Sequence, residues 1–413
     1  MNIHINKLLA AFIFSSLLFL SSCQKPEEDP VPQNSSIAVN DKIHDIMKEW
    51  YFWNDQMPTI KSSDYSNSND FLSALLNKGI DKWSYIEDEE SFNQYFKEGK
   101  FYGFGFGMKS DVEENLRVSF VYRDSPMDRA GITRGYKIMK INGKSVSELI
   151  ATNSLSSAWG ANQKGVSINL EVEDLAGKVS QVAVTKEEVT INSVIHKEVK
   201  QVEGVKVGYL VFNNFIETSR EELDEAFTFF KEEGISELVL DLRYNGGGSL
   251  DVAQYLANLI GAFKGGTNKF VELTYNPQKQ SNNKPFNFST EASGIDLERL
   301  FVITARGTAS ASEAIINGLR PYMEVITVGD ITSGKPVGMN VWTFDGLALV
   351  PITFKVNNSR GEAEYYDGIL PDGTSSDDVT VLLGDESEDS FEEVIYFIKN
   401  GSFSASSART RSL

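Results

Sequence analysis

The chain of 413 residues contains few of the side chains that most often build metal sites and catalytic triads. It has one cysteine, Cys23, and three histidines, His4, His44 and His196. A single cysteine excludes an internal disulfide and a cysteine-based zinc site. Positive charge is also scarce, because 39 Lys and Arg face 58 Asp and Glu, for a formal net charge of −19. This balance argues against partners that are nucleic acids or anionic membrane surfaces.

Long apolar runs are also absent, apart from one near the N-terminus. Residues 1–22 have the pattern of a signal peptide, in which Lys7 supplies the positive charge and Leu8–Leu20 is almost wholly apolar. That run is shorter than a typical membrane span. The end of the segment, Leu20-Ser21-Ser22-Cys23, resembles a bacterial lipobox with Cys23 as the lipidated residue. The alternative is a plain signal peptide with an incidental cysteine.

The lipobox resemblance implies a lipid anchor in the bacterial cell envelope. Gln24 is not the aspartate that often retains lipoproteins in the inner membrane, so we expect the outer membrane, on its periplasmic or surface side. Residues 23–38 are rich in Pro, Glu and Ser, which predicts a flexible tether between anchor and folded protein.

Residues 301–335 hold the most informative pattern of the chain. The apolar runs Phe301–Thr304 and Val325–Val328 predict two buried strands, and Glu313–Leu319 predicts a helix between them. Ser310 therefore lies in a strand-to-helix turn, and Lys335 follows the next strand, 25 residues later. Unpaired N–H groups and the helix dipole at such a turn stabilise an oxyanion, so Ser310 is a candidate nucleophile.

A serine hydroxyl needs a base that accepts its proton. No histidine lies in this stretch, but a lysine performs the same task when burial lowers its pKa enough to leave it partly neutral. The pattern is therefore compatible with a Ser310–Lys335 dyad. The competing interpretation is an ordinary strand–turn–helix in which Ser312 caps the helix.

The stretch resembles the C-terminal processing peptidases, also called tail-specific proteases. Their motif is S-A-S-E, here Ser310–Glu313, followed 25 residues later by the lysine of G-K, here Gly334-Lys335. The resemblance spans roughly residues 39–400 and implies a serine endopeptidase with a Ser-Lys dyad, without metal or organic cofactor. Many members carry glutamine four residues after the lysine, whereas this chain has Met339, so the third catalytic group stays open.

A second motif of that family is D-L-R-x-N-x-G-G. It matches Asp241–Gly248, which follows an apolar run that predicts a buried strand. The resemblance implies that an N–H in Gly247 or Gly248 joins the N–H of Ala311 to form an oxyanion hole. Asp241 and Arg243 are expected to form a structural pair.

Upstream of these motifs, residues 99–188 resemble a PDZ domain. The order is a glycine-aromatic run, a strand over Leu116–Tyr122, a helix-like Ser125–Gly131, and a strand that ends in Asn142-Gly143. The resemblance implies that Phe104, Gly105 and Phe106 form the loop that binds the carboxylate of a peptide C-terminus. A β-bulge or tight turn is the alternative explanation for these glycines.

These patterns and resemblances together imply an α+β or mixed multidomain fold. It comprises a helical N-terminal domain over 39–98, the β-rich PDZ domain, an α/β catalytic domain of the crotonase/ClpP-like class over 189–400, and a disordered tail over 401–413. The polar segment 265–295 is expected to be a mobile insertion. The predicted function is cleavage of proteins or peptides with free C-termini. The alternatives are a non-catalytic PDZ peptide-binding lipoprotein and a crotonase-like hydrolase or ligand-binding relative.

Overall fold

The computed structural model describes residues 33–261, 268–405 and 407. The predicted signal peptide and Cys23 lie outside these residues. The described chain has mixed α/β architecture, and we divide it into a helical unit (residues 33–98), a β unit (99–190) and a large unit (191–407). No helix within the described ranges is long and apolar enough to cross a membrane.

The helical unit contains three α-helices and one short strand. Their bounds are α1 (Gln33–Trp50), α2 (Ser68–Leu75), β1 (Tyr85–Asp88) and α3 (Glu89–Asn93), with a π-helical turn over 94–98. Asn67 caps α2, because its side chain accepts hydrogen bonds from the backbone N–H groups of Asn69 and Asp70.

Two details of this part of the chain differ from the sequence-based expectation. The expected tether is helical from Gln33 onwards, because the first turns of α1 run continuously into the turns whose Ile43 and Met47 are fully buried. The region 39–98 is also not purely helical, because β1 pairs with a strand of the large unit, with Tyr85 opposite Val350.

The β unit is an antiparallel sheet with three short helices. Its elements are β2 (Lys100–Gly103), β3 (Phe106–Ser110), β4 (Leu116–Val121), α4 (Pro126–Arg129), β5 (Lys137–Ile141), β6 (Lys144–Ser145), α5 (Val146–Ala151), α6 (Leu155–Ala158), β7 (Ser167–Glu173), β8 (Val179–Thr185) and β9 (Glu187–Thr190). The main sheet has the order β3-β4-β5-β7-β8, so β3 is an edge strand. The predicted hairpin at Asn142-Gly143 is confirmed, with φ of 49° and 82° at its two turn residues.

The large unit is built on a six-stranded sheet in which helices cover both faces. Its elements are β10 (Val194–Val202), β11 (Val205–Phe212), α7 (Ser219–Glu233), β12 (Glu237–Asp241), α8 (Leu250–Ile260), β13 (Lys269–Tyr275), β14 (Lys284–Asn287), β15 (Arg299–Thr304), α9 (Ala311–Leu319), β16 (Glu324–Gly329), β17 (Val337–Met339), β18 (Trp342–Phe344), β19 (Leu347–Val350), β20 (Ile352–Asn358), β21 (Gly373–Thr374) and α10 (Asp389–Asn400). The order of the sheet is β10-β11-β12-β15-β16-β21, and all neighbours except β10 and β11 run parallel.

Side chains on the central strands point alternately to the two faces of the sheet, and each face packs against its own layer of helices. Leu238 and Leu240 of β12 face the core that packs α7, α8 and α9, whereas Val239 faces α10 through Phe391. A parallel sheet buried on both faces reads as a continuous apolar run, as it does here. The loops after β12, β15 and β16 leave the same edge of the sheet, which is where open parallel sheets place their ligand sites.

The polar segment 265–295 was wrongly predicted to be a mobile insertion. Its described part, from residue 268, forms β13, a 3₁₀ turn over Pro277–Asn282, and β14, within a four-stranded sheet of order β14-β13-β20-β17. The reason is that its apolar side chains are spaced for burial: Phe270, Val271, Leu273, Phe286 and Phe288 are all buried. Their burial outweighs the polar composition that suggested mobility.

The start of the C-terminal tail is likewise ordered rather than disordered. Phe403 packs against Phe397 of α10, with 4.7 Å between ring centroids. The backbone N–H and hydroxyl of Ser404 both donate to the Glu393 carboxylate at 2.7 Å. These contacts fix residues 401–405 on α10.

Candidate active site

Ser310 lies at the turn between β15 and α9 in a strained backbone conformation. Its φ of 57° and ψ of −112° place a non-glycine residue in the sparsely populated half of the Ramachandran map. Such strain persists only when neighbouring bonds impose it, and it is typical of nucleophiles on strand-to-helix turns. Here the N–H of Ala309 and the hydroxyl of Ser312 both donate to the carbonyl oxygen of Asn245, at 3.2 and 3.0 Å.

These bonds also decide between the two serines of the motif. Ser312 is fully buried and its hydroxyl is engaged by Asn245, so it does not cap the helix. Ser310 is the residue that precedes α9, is partly exposed, and lines a cavity.

Glu313 connects the Ser310 turn to the Lys335 loop, a role that was not predicted from its place in the S-A-S-E motif. Its buried carboxylate accepts hydrogen bonds from the N–H groups of Ser310, Gly334 and Lys335 at 2.8, 2.7 and 2.9 Å, and from the Thr332 hydroxyl at 2.6 Å. Burial raises the pKa of Glu313, and these donors partly offset the effect. The available signal was the S-x-x-E spacing, in which the glutamate reaches back to the N–H at the helix start.

Lys335 lies in the loop after β16 and lines the same cavity as Ser310. Burial lowers its pKa to about 8, while the Asp81 and Glu313 carboxylates act in the opposite direction. The lysine Nζ lies 3.5 Å from the Sδ of Met339, the residue at the position of the family glutamine. A thioether is a weak acceptor, so this contact leaves the amine free to take a proton.

The glycine loop after β12 presents backbone N–H groups beside Ser310. A Cβ on Gly247 would lie 2.8 Å from the Cβ of Ser310 and 3.0 Å from the nitrogen of Ala311, and Gly247 has a φ of 100°, so only glycine fits. The N–H of Gly247 is already donated to the Asn245 side chain at 2.9 Å. By contrast, the N–H groups of Gly248 and Ala311 have no hydrogen-bond partner among the described residues.

Ser310, Lys335, Gly247 and Gly248 line one cavity of about 1060 Å³. Its other walls are mainly aromatic and aliphatic, and include Tyr85, Phe92, Phe96, Phe286 and Phe354. Polar and charged side chains, among them Asn213, Glu217, Arg220 and Asp251, also line it. A cavity of this size that combines apolar walls with a few polar groups has the character of a ligand-binding site.

The three residues predicted to bind a carboxylate do not line this cavity. Phe104 is buried in the β unit, and its ring centroid lies 6.1 Å from that of Trp159. Gly105 has a φ of 79°, and a Cβ there would lie 2.2 Å from the Cβ of Ser125. The carbonyl groups of Phe104 and Gly105 accept from Met127 and Tyr122, so the loop turns its oxygens inward next to the start of β3.

The remaining candidate groups lie elsewhere. His44 and His196 are absent from the lining of the cavity, and His4 lies outside the described residues. Within residues 33–261, 268–405 and 407, no group of three or more His, Cys, Asp or Glu side chains could hold a metal ion.

Comparison with known proteins agrees with these features. Peptidase family S41 matches residues 206–375, and the peptidase S41 N-terminal domain matches residues 38–85. A protein of Staphylococcus aureus (strain bovine RF122 / ET3-1) named as a CtpA-like serine protease is 29% identical over 326 residues, which are 76% of this chain and 62% of that protein. A protein of the same name from Staphylococcus saprophyticus is 26% identical over 69% of this chain and 55% of its own length. The chain thus spans about three fifths of the length of these relatives or less.

Two solved structures share the fold. One, from Bacteroides fragilis NCTC 9343 and assigned to the S41 proteases, has a TM-score of 0.71 and 24% identity, and the match covers 92% of this chain and all of that one. The photosystem II D1 C-terminal processing protease has a TM-score of 0.52 and 18% identity over 82% of this chain and 92% of its own. Since the two S41 matches together span more than half of the sequence, the chain belongs to peptidase family S41.

Proposed function

We propose that the chain is a serine endopeptidase in which Ser310 is the nucleophile and Lys335 the general base. The observation that carries this proposal is the strained serine at the start of α9, which shares its cavity with a lysine whose pKa is about 8. At pH 7 a lysine with that pKa is neutral in roughly one molecule in ten, against fewer than one in a thousand for an ordinary lysine.

The chemistry of these groups suggests the following reaction. Lys335 takes the proton of Ser310, whose Oγ attacks the carbonyl carbon of the peptide bond. The N–H groups of Ala311 and Gly248 then stabilise the oxyanion, while Gly247 supplies the space for it. Lys335 donates its proton to the leaving amine, and it next activates the water that hydrolyses the acyl-enzyme.

The direct test is digestion of casein by the purified protein, together with covalent labelling by a fluorophosphonate probe. We expect both, with the label on Ser310. Binding of peptides without digestion or labelling would instead support the non-catalytic peptide-binding alternative.

We further propose that the β unit is a PDZ domain and that the large unit is a catalytic domain of the crotonase/ClpP-like class. Support for the PDZ assignment comes from edge strand β3 and from the loop before it, in which Gly105 has the positive φ of a tight turn. An extended substrate tail would add to β3, and its carboxylate would meet the N–H groups of Phe104, Gly105 and Phe106. Proteins or peptides with free C-termini are the substrates that fit this arrangement.

Amidation of the C-terminus of a peptide substrate is therefore expected to lower kcat/KM about ten- to a hundred-fold. The lost carboxylate would have accepted charge-assisted hydrogen bonds worth roughly 1.5–3 kcal/mol each. The control is a peptide too short to reach both sites, for which amidation should have no effect. Equal cleavage of the acid and the amide of the long peptide would contradict the proposal. Substitution of Gly105 is a poor test, because any Cβ there collides with Ser125.

For the N-terminal segment we propose lipidation at Cys23 and anchoring to the bacterial cell envelope, on the basis of the lipobox pattern. Cys23→Ser should move the protein from the membrane fraction to the soluble fraction, or leave it unprocessed, because the acyl chains provide the anchor. Fractionation with and without detergent measures this. Wild-type protein in the soluble fraction without detergent would contradict the lipobox.

A further inference from the structure

The helical unit carries a buried carboxylate, Asp81, that hydrogen bonds through Ser84 connect to β20, the strand paired with β17 after Lys335. Asp81 is 5% exposed. Its oxygens accept from the N–H groups of Trp83 and Ser84 at 2.9 and 3.0 Å, and from the Ser84 hydroxyl at 2.5 Å. Among the described residues, no Lys or Arg forms an ion pair with it. A buried carboxylate satisfied only by neutral donors retains a negative field that acts on nearby groups.

Contacts run from this carboxylate to the base. The Ser84 hydroxyl accepts from the N–H of Ile352 at 2.9 Å. Ile352 of β20 is opposite Met339 of β17, and the Sδ of Met339 lies 3.5 Å from the Nζ of Lys335. Val337 and Ile352 are buried in the same apolar cluster as Tyr51 and Phe71 of the helical unit. The helical unit and the strand after Lys335 therefore pack together in one apolar cluster.

Two carboxylates act on Lys335. Against the effect of burial, Asp81 from the helical unit raises its pKa most, and Glu313 from α9 raises it less. Glu313 is already committed to four donors that hold the two site loops together. Asp81 also acts on its other neighbour, since burial and the Asp81 charge raise the pKa of Tyr51 above its usual value. Asp81 is therefore the carboxylate with the larger effect on the lysine.

We propose that Asp81 is a positioning residue for the reaction, and that its carboxylate stabilises the ammonium that Lys335 forms when it takes the proton from Ser310. This inference rests on the proposed Ser-Lys mechanism. It assigns a role in the reaction to the helical unit, beyond the aromatic side chains that this unit contributes to the cavity wall. Met339 cannot provide the same stabilisation, because its thioether carries no charge.

The test is the pH dependence of kcat/KM for the full chain with a peptide substrate. In the wild type kcat/KM should rise with pH through about 8 as Lys335 loses its proton. Asp81→Asn removes the carboxylate that favours the ammonium, so the rising limb should move to lower pH, by roughly 0.5–1 unit. The plateau at high pH should fall about tenfold, because the ammonium is less stable in the transition state.

Three comparisons make the result specific. Asp81→Glu keeps the charge, so the rising limb of its pH profile should lie within about 0.2 pH units of the wild-type limb. Asp70→Asn makes the same chemical change at an exposed site on α2 and should leave limb and plateau unchanged. If Asp81→Asn does not fold, Asp81→Ser provides a smaller neutral acceptor for the same N–H groups.

A lower plateau with an unmoved limb would overturn the inference, because a merely structural role reduces activity without changing the pH at which the base titrates. That outcome would refute the role of Asp81 alone, whereas a different outcome would refute the proposed function. An inactive wild type, or activity that persists in Ser310→Ala, would refute the Ser-Lys mechanism itself.

Discussion

Ser310→Ala and Lys335→Ala are each expected to reduce kcat/KM for a peptide by about 10⁴- to 10⁶-fold. The first removes the atom that attacks the carbonyl, and the second removes the base that activates it. The double variant should be no worse than either single variant, because the two side chains act as one unit. Kinetics with a fluorogenic peptide give the loss, and thermal unfolding shows whether each variant remains folded.

Ser312→Ala is the matched control, since it makes the same change two residues away. Its hydroxyl donates to Asn245, so the substitution costs about one hydrogen bond, roughly 1 kcal/mol of stability. We expect it to keep most of the activity. Loss of cleavage in Ser312→Ala with retention in Ser310→Ala would reverse the assignment of the nucleophile.

The turn that bears Ser310 could be predicted from sequence because each of its signals is local. An apolar strand, a turn of small residues and a short helix follow one another within about 20 residues. The structure has the strand over Arg299–Thr304 and the helix over Ala311–Leu319, close to the predicted bounds. The glycine loop could also be predicted from a local signal, because it directly follows the buried strand Glu237–Asp241.

Features that depend on distant partners were not predictable in this way. Asp81 lies more than 250 residues before Lys335 in the chain, and its spacing within the helical unit carries no sign of that relation. The polar segment after residue 265 has a composition typical of a loop, and only its pairing with β20 shows that the apolar positions share a buried face. In the second case tertiary contacts set the secondary structure and override the composition.

The choice between Gly247 and Gly248 illustrates the same limit. Both glycines stand in one motif, and the sequence does not distinguish their N–H groups. The structure separates them through Asn245, whose side chain takes the N–H of Gly247 and leaves that of Gly248 without a partner among the described residues. That distinction depends on a side-chain orientation, which no residue pattern specifies.

Arg243→Met is expected to lower the free energy of unfolding by about 3–5 kcal/mol. Arg243 is 2% exposed and is surrounded by three carboxylates. Its Nε lies 2.9 Å from both oxygens of Asp241, and its other nitrogens lie 2.6 and 2.9 Å from Glu388 and 3.0 Å from Asp377. Without the guanidinium these buried carboxylates lose their compensating charge, and this costs more than the lost hydrogen bonds alone.

Denaturation in urea measures the loss, and Arg306→Met is the matched control. Arg306 pairs with Asp330 on the surface, where the two side chains are 77% and 51% exposed. Exposed ion pairs contribute roughly 0–1 kcal/mol to the free energy of unfolding, so this variant should have nearly the wild-type stability. Equal stability of the two variants would show that the Arg243 network contributes nothing beyond a surface pair.

The pH dependence of the deficit distinguishes lost charge compensation from lost packing. Burial alone would raise the pKa of Asp377, but Arg243, Arg134 and Lys109 outweigh it and hold that pKa well below its usual range. A depressed carboxyl pKa stabilises the fold above the unfolded value, about 3.9, and this contribution is lost as the pH falls below it. The deficit of Arg243→Met should therefore be full above pH 4 and shrink as the pH falls below it, where protonated carboxyls no longer need the cation. A deficit independent of pH would instead indicate that Arg243 stabilises the protein by filling space.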